Sequence, residues 1–480
     1  MKQEEDMLQQ RFFGCLFSIV FILAAIPGEA AMGSEPNLAF TAPWRIEKVD
    51  YPVATYTGTH ISLKYKQDIN RAYISYYDVT HHTLKLAFNP WPQAQGDCNE
   101  ITGHFTCVTL DGDGLNGHSS DDVGMYSSVD VNTVAFIRIG VSYYDRTLQA
   151  LKYVQYDCAF SCITTLYTID LVNGMDIGSY GTSLKYTSDV IPYIAYSYSN
   201  PSNHNLDELR LAHWVGTGGN CGIGTDHGKF QCDVINRGFQ VGRSPSLGLV
   251  DAPGSPILQI AYLGGSNILY YAVSNPGDQC TANVADGWHC YLIDNSAGAD
   301  VSLYSFNTLP SIAYFDRING NLRFATYVTP GPNANCGAIS GTTYAWRCDT
   351  IEKIVLNDTQ PQRISVSLAV DGSGYPAIAY EFIPSGLGAI SLKIARPQAA
   401  YNYDVGNCGP VPEGGFMGTW WCSTVGGGSG NTDEAAFAGI GLRSNGLAII
   451  AFTEDDSYNY TQRLMVALQQ TYTFLPLIRK

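Results

Sequence analysis

Seven copies of one short motif run along this 480-residue chain, each a β-rich triplet ending in an aromatic residue. They are Ile74-Ser75-Tyr76, Val141-Ser142-Tyr143, Ile194-Ala195-Tyr196, Ile260-Ala261-Tyr262, Ile312-Ala313-Tyr314, Ile378-Ala379-Tyr380 and Ile450-Ala451-Phe452. Their spacing of 52 to 72 residues gives each copy room for one supersecondary unit. Between 12 and 16 residues before each aromatic stands a small residue that marks a preceding strand: Ser62, Ser128, Ser183, Ser246, Ser302, Ser367, and Gly439 in the last copy. After each triplet a turn leads into a third strand, as in Leu84-Lys85-Leu86-Ala87 and Leu322-Arg323-Phe324-Ala325. Most units end on a fourth strand reading aromatic, any residue, Cys, two residues, aliphatic, then Asp or a relative. Phe105 to Asp111, Phe230 to Asn236, Trp288 to Asp294 and Trp346 to Glu352 follow that pattern. Seven units of four strands predict an all-β chain folded as a seven-bladed β-propeller.

The seventh unit lacks its fourth strand, and Trp44 to Asp50 at the other end of the chain fits the missing pattern, with Ile46 at the Cys position. This segment is expected to complete blade seven and close the ring, removing the exposed sheet edges of an open array. Apart from Cys15, the cysteines fall two per unit: Cys98 and Cys107, Cys158 and Cys162, Cys221 and Cys232, Cys280 and Cys290, Cys336 and Cys348, Cys408 and Cys422. Each pair is expected to tie strands three and four of one blade, which implies an oxidising compartment. The variable spacings, with no recurring histidine beside them, argue against zinc.

Ser311-Ile312-Ala313-Tyr314-Phe315-Asp316, followed by Asn319-Gly320-Asn321-Leu322-Arg323-Phe324-Ala325, resembles the "SYYD, turn, LKYA" repeats of secreted microbial β-propeller proteins, distantly like sialidase and lectin propellers. The resemblance runs over roughly residues 44 to 468 and implies architecture, not function. Two departures disfavour a sialidase. No Ser-x-Asp-x-Gly-x-x-Trp box is present, and arginines such as Arg71, Arg138 and Arg243 do not recur at one blade position to clamp a carboxylate.

Phe12 to Ile26 is an apolar stretch too short to span a bilayer comfortably, followed by Pro27 and a small-residue cleavage site. We therefore expect residues 1–30 to be a signal peptide, 31–43 an extension, 44–470 the propeller and 471–480 a tail, in a secreted or cell-surface product. The net charge of −16 changes little when the leader is removed, and would repel nucleic acid and anionic membranes.

In a propeller the connection from strand two to three and the one from strand four to the next blade share a face. That puts Tyr77, Asp78, Tyr144, Asp145, Tyr198, Phe315 and Asp316 on one rim. Aromatic plates beside carboxylates suit a sugar, although an Asp opening a turn more commonly bonds its own backbone. Asp111, Asp113 and Asp121, in and after a Gly-rich run on that face, offer oxygens for Ca²⁺, the one cofactor the chain suggests, against the plainer reading of a solvated acidic turn. The small residues of the first strands would line the central channel as a near ring of hydroxyls, a crowding effect that also leaves a path for water or ions. Nucleophile elbows, His-Glu-x-x-His and phosphate loops are missing, while a carboxylate pair such as Asp316 and Glu454 leaves glycoside hydrolysis open. The leading expectation is a non-enzymatic extracellular protein binding a glycan or protein on one face. Its alternatives are a structural, self-assembling surface subunit and a glycan-active hydrolase.

Overall fold

Each repeat forms an antiparallel sheet in the computed structural model. It describes residues 44–50, 56–89, 98, 105–251, 256–266, 268–276, 278–281, 284–340, 343–355, 364–384, 389–397, 407–408, 419–427, 432–456 and 461–470. The expected leader, extension and tail lie outside these residues. Seven sheets follow in chain order, over 57–111, 123–170, 176–238, 243–294, 297–353, 366–427 and 432–469, the last completed by Trp44–Asp50. Blade five adds an outer strand, Cys336–Ser340, beyond its fourth. The chain is a seven-bladed β-propeller. Trp44–Asp50 pairs antiparallel with Thr461–Gln469, from Trp44 opposite Gln469 to Asp50 opposite Leu464. The two ends of the chain therefore close the ring by backbone hydrogen bonds.

The second strand of each blade is covered on both faces by neighbouring blades, so it needs no polar face. All eight residues of Arg71–Asp78 are buried. The core is divided into seven clusters, each between adjacent blades. Ile74 and Tyr76 of blade one pack on Ile449, Ala451 and Val466 of blade seven, and Val129, Val131 and Val141 of blade two pack on Leu84, Leu86 and Leu110 of blade one.

One polar contact recurs across these apolar seams. The acid ending a fourth strand accepts from the tyrosine of the next blade's triplet and from a cation on that blade's third strand. Asp111 takes the Tyr143 hydroxyl at 2.8 Å and Lys152 Nζ at 2.6 Å. Asp170 takes Tyr196 at 2.8 Å and Arg210 at 2.9 Å. Asp50 holds Tyr76 and Lys85, Asp294 holds Tyr314 and Arg323, and Glu352 holds Tyr380 and Lys393. The two remaining seams depart from it in different ways. Asn236 donates to the Tyr262 hydroxyl at 2.7 Å, and Tyr270 occupies the cation's position. Gly426, opposite Leu392 as Asp111 is opposite Leu84, meets a blade that carries Phe452 and Met465. In both seams that lack the acid the cation is absent too, and where no polar group stands at the acid's position the phenol is also replaced, by Phe452.

All six cysteine pairs form within blades. The expectation that each ties strand three to strand four holds for Cys158–Cys162, which bridges the two across their hairpin. Elsewhere the bond is different: Cys98, Cys221, Cys280 and Cys408 lie in the connection leading to the fourth strand, and Cys336 lies on the extra edge strand. These bonds brace the long connections against the fourth strand, on the face opposite the predicted rim. Among the described residues no helix is long and apolar enough to cross a membrane.

Replacing Asp50 by Asn should leave Lys85 with only the longer pair to Asp78 at 3.8 Å and lower stability by about 3 kcal/mol in urea unfolding. Phe452→Tyr should cost about 1–3 kcal/mol, because its buried hydroxyl meets Gly426 in place of an acid.

Candidate functional site

The predicted rim residues turn out to be framework. Asp78 accepts from the N–H groups of Thr80 and His81 and from the His81 ring. Asp145 accepts from Leu148 N–H, and Asp316 from the N–H groups of Ile318 and Asn319 and from Asn319 Nδ2. All three carboxyls are buried in their turns. Tyr77 and Tyr144 are also buried, and each reaches into the next blade, donating to Asp122 and Asp176 at 2.7 Å. Burial, followed by those hydrogen bonds, pushes both phenols well above their ordinary pKa. Phe315 is 1% exposed in the seam with blade six. Tyr198 lies under the Arg210 guanidinium, 3.5 Å from its ring centre.

The proposed calcium residues are likewise not brought together. Asp111 is fully buried in the inter-blade contact and also accepts from Ser119 N–H at 2.7 Å. Asp113 accepts from Leu115 N–H and pairs with the His118 ring at 2.7 Å. Among the described residues no group of three or more His, Cys, Asp or Glu side chains is arranged to hold a metal, and Asp121 joins none.

The concave feature lies on the axis, where the seven first strands enclose a cavity of about 430 Å³. The recurring serines hold it together. Ser62, Ser128, Ser183, Ser246, Ser302 and Ser367 each accept, at 2.9–3.2 Å, the N–H of the residue just past the next blade's serine or glycine. Gly439 completes the circle, where a Cβ would come within 3.2 Å of the Leu63 nitrogen. The repeated small residue is therefore an inter-blade hydrogen-bond acceptor as well as an answer to crowding.

Ahead of the ring position, among the described residues, the first strand bulges in every blade but the sixth, on the rim side of the cavity. Five non-glycine residues there adopt the left-handed region: His60 (φ 50°), Tyr126 (φ 54°), Ser244 (φ 46°), Asp300 (φ 59°) and Phe437 (φ 58°), with Gly181 (φ 135°) in blade three. Such backbone costs about 1–3 kcal/mol per residue and persists where the surroundings enforce it. Here they do. The Ser127 hydroxyl donates to the His60 carbonyl at 2.9 Å, and Thr182 to the Tyr126 carbonyl at 2.8 Å. The strained residues form a collar, with the His60 ring 4.5 Å from Tyr126 and 4.9 Å from Phe437, centre to centre. Arg243 lies over Tyr180 at 4.2 Å. Tyr77 and Tyr144 pack behind the collar, 6.2 Å from His60 and 6.5 Å from Tyr126. The sequence reading missed the collar, yet it is a position where otherwise similar repeats vary, from His60 and Tyr126 through Gly181, Ser244 and Asp300 to Ser365 and Phe437.

Searches against protein-family models and against curated proteins found no match. Several solved structures are similar in fold. The six-bladed fucose-recognising lectin of Aleuria aurantia is 14% identical, with 76% of this chain and 99% of that chain covered, at a TM-score of 0.40. An α-L-arabinofuranosidase of Fusarium graminearum is 13% identical over 75% and 99%, at 0.44. The intramolecular trans-sialidase of Ruminococcus gnavus is 10% identical over 89% and 99%, at 0.40. At such distances the ligand of this chain must be argued from its own residues.

Burial by itself would raise the Asp111 carboxyl, but Lys152 and the hydrogen bonds from Lys152, Tyr143 and Ser119 outweigh it and hold the group below its ordinary value. A depressed acid stabilises the fold fully above its unfolded pKa of about 3.9, and that contribution drains away as pH falls through the lowered value. Stability measured from pH 6 down to pH 2 should therefore fall on the acid side, and Asp111→Asn should show a shallower decline than the parent.

Proposed function

We propose that this is a secreted, non-enzymatic protein that binds a glycan at the collar end of the central channel, with His60, Tyr126 and Phe437 as its aromatic surface. The observation that carries this reading is the left-handed backbone at one equivalent position in six blades, five of them non-glycine, each presenting a different side chain to the same opening. Strain repeated in register and braced from the next blade is what a preorganised site requires. Aromatic faces suit the apolar faces of sugar rings, while Arg243, Asp300 and Ser244 supply donors and acceptors for hydroxyls. Among the described residues Asp300 is the one carboxyl lining the cavity. Hydrolysis by the usual route wants two carboxyls flanking the bond, which favours binding as the reading. Six disulfides and an acidic surface support an extracellular setting.

The test is a glycan array with residues 31–480, run for the parent and for Tyr126→Ala and Phe437→Ala, each checked for an unchanged melting profile. The parent should bind a defined set of sugars saturably, each variant should lose about tenfold or more in affinity, and a chelator should change nothing. Unaltered binding in both folded variants would remove the collar from the account, and an empty array would favour the assembling surface subunit.

A further inference from the structure

Two residues past the serine ring, the wall of the channel becomes charged. In this layer each side chain leans towards the following blade. Lys64 of blade one pairs with the Asp130 carboxylate of blade two at 2.7 Å, and Asp130 in turn accepts from Tyr186 N–H of blade three at 2.8 Å. Lys185 of blade three should find its partner on blade four, but that position is Gly248, where a Cβ would collide with the Ser305 hydroxyl. Lys185 lines the cavity and has no hydrogen-bond or ion-pair partner among the described residues. Two ammonium groups thus share one carboxylate. Tyr304 of blade five lines the same stretch, and Gly441 of blade seven contributes no side chain that would fill it.

We propose that this lower part of the channel is a binding site for a small oxyanion of the carboxylate, phosphate or sulfate class, held by the ammonium groups of Lys185 and Lys64. A half-buried cation is stabilised by a counter-charge, and among the described residues the one carboxylate near this layer is paired directly with Lys64 and reaches Lys185 only at a distance. Burial, then the like charge of Lys64, pulls the Lys185 ammonium down to about 8, against the opposing pull of Asp130. Lys64 is held up by Asp130 against its burial, and Asp130 is held down mainly by Lys64 against its own. A bound anion would supply the charge that Gly248 does not. The site lies beyond the serine ring from the collar and does not rest on the glycan reading.

Isothermal titration calorimetry with inorganic phosphate, sulfate and glucuronate at constant ionic strength, with glucose as the neutral control, tests the proposal. The parent should bind at least one anion saturably and not glucose. Lys185→Met should lose about tenfold or more in affinity, whereas Lys229→Met, at a surface pair with Asp226, should leave it unchanged. Affinity should fall as pH rises above about 8, since Lys64 is held up and Asp130 held down by their mutual pairing, while Tyr304 of blade five also faces the site and blade four offers only Gly248. Binding confined to glucuronate would identify an acidic sugar as the source of the anion, and binding of phosphate or sulfate a free inorganic ion. No binding of any anion by the parent, or equal binding by Lys185→Met, would overturn the proposal.

Discussion

The ring is held in register by buried acids at blade ends, each clasping a tyrosine and a cation of the next blade. The apolar seams between blades supply attraction without direction, since an area of Val, Ile and Leu packs tolerably in several registers. A carboxylate fully removed from water does not tolerate such slippage. If Asp111 misses Tyr143 and Lys152, a buried phenol and a buried carboxylate oxygen lose their hydrogen bonds and Lys152 its nearest counter-charge, and the penalty is several kcal/mol. The acid and the cation go together in the chain itself: Asn236 faces Tyr262 and Tyr270 with no cation, and Gly426 faces Phe452 and Met465. The same contact at Asp50 fastens the N-terminal strand to blade one as well as to blade seven, so ring closure is both a backbone and a side-chain event.

Much of this architecture was legible in the residues. The triplets, the recurring small residue and the fourth-strand pattern each follow from a strand that must pack between two neighbours. The absent fourth strand of the last repeat pointed to Trp44–Asp50. The roles of individual side chains were less legible, for identifiable reasons. Tyr77 and Phe315 look like rim residues because strand alternation normally gives one wet face, whereas a propeller's second strand has none. Asp111 sits in a run that looks like a cation loop, and only Lys152, 41 residues away, reveals its actual partner. The disulfide pairing was readable from the count per repeat, but which segments it ties depends on the course of connections that no periodicity encodes.

The collar shows the opposite relation between pattern and role. Positive φ at His60, Tyr126, Asp300 and Phe437 carries no sequence signal, since glycine or asparagine is the expected occupant of such backbone. What marks these residues is their variety against a constant background. Framework positions, the serine ring included, repeat because every seam poses the same physical problem, while collar positions vary because the side chains there share one opening. The asymmetric charges of Lys64, Asp130 and Lys185 deeper in the channel follow the same logic. In a fold of near-identical parts, the departures from repetition are where a single ligand can be read.

The clasp between blades is tested most directly by a double-mutant cycle on Asp111 and Lys152, with Asp111→Asn, Lys152→Met and the pair compared by equilibrium unfolding. The account predicts that the two changes couple by at least about 1 kcal/mol, so that the double variant is markedly more stable than the sum of the single losses implies. Additivity to within about 0.5 kcal/mol would contradict it, and would leave register to the apolar seams and the serine ring.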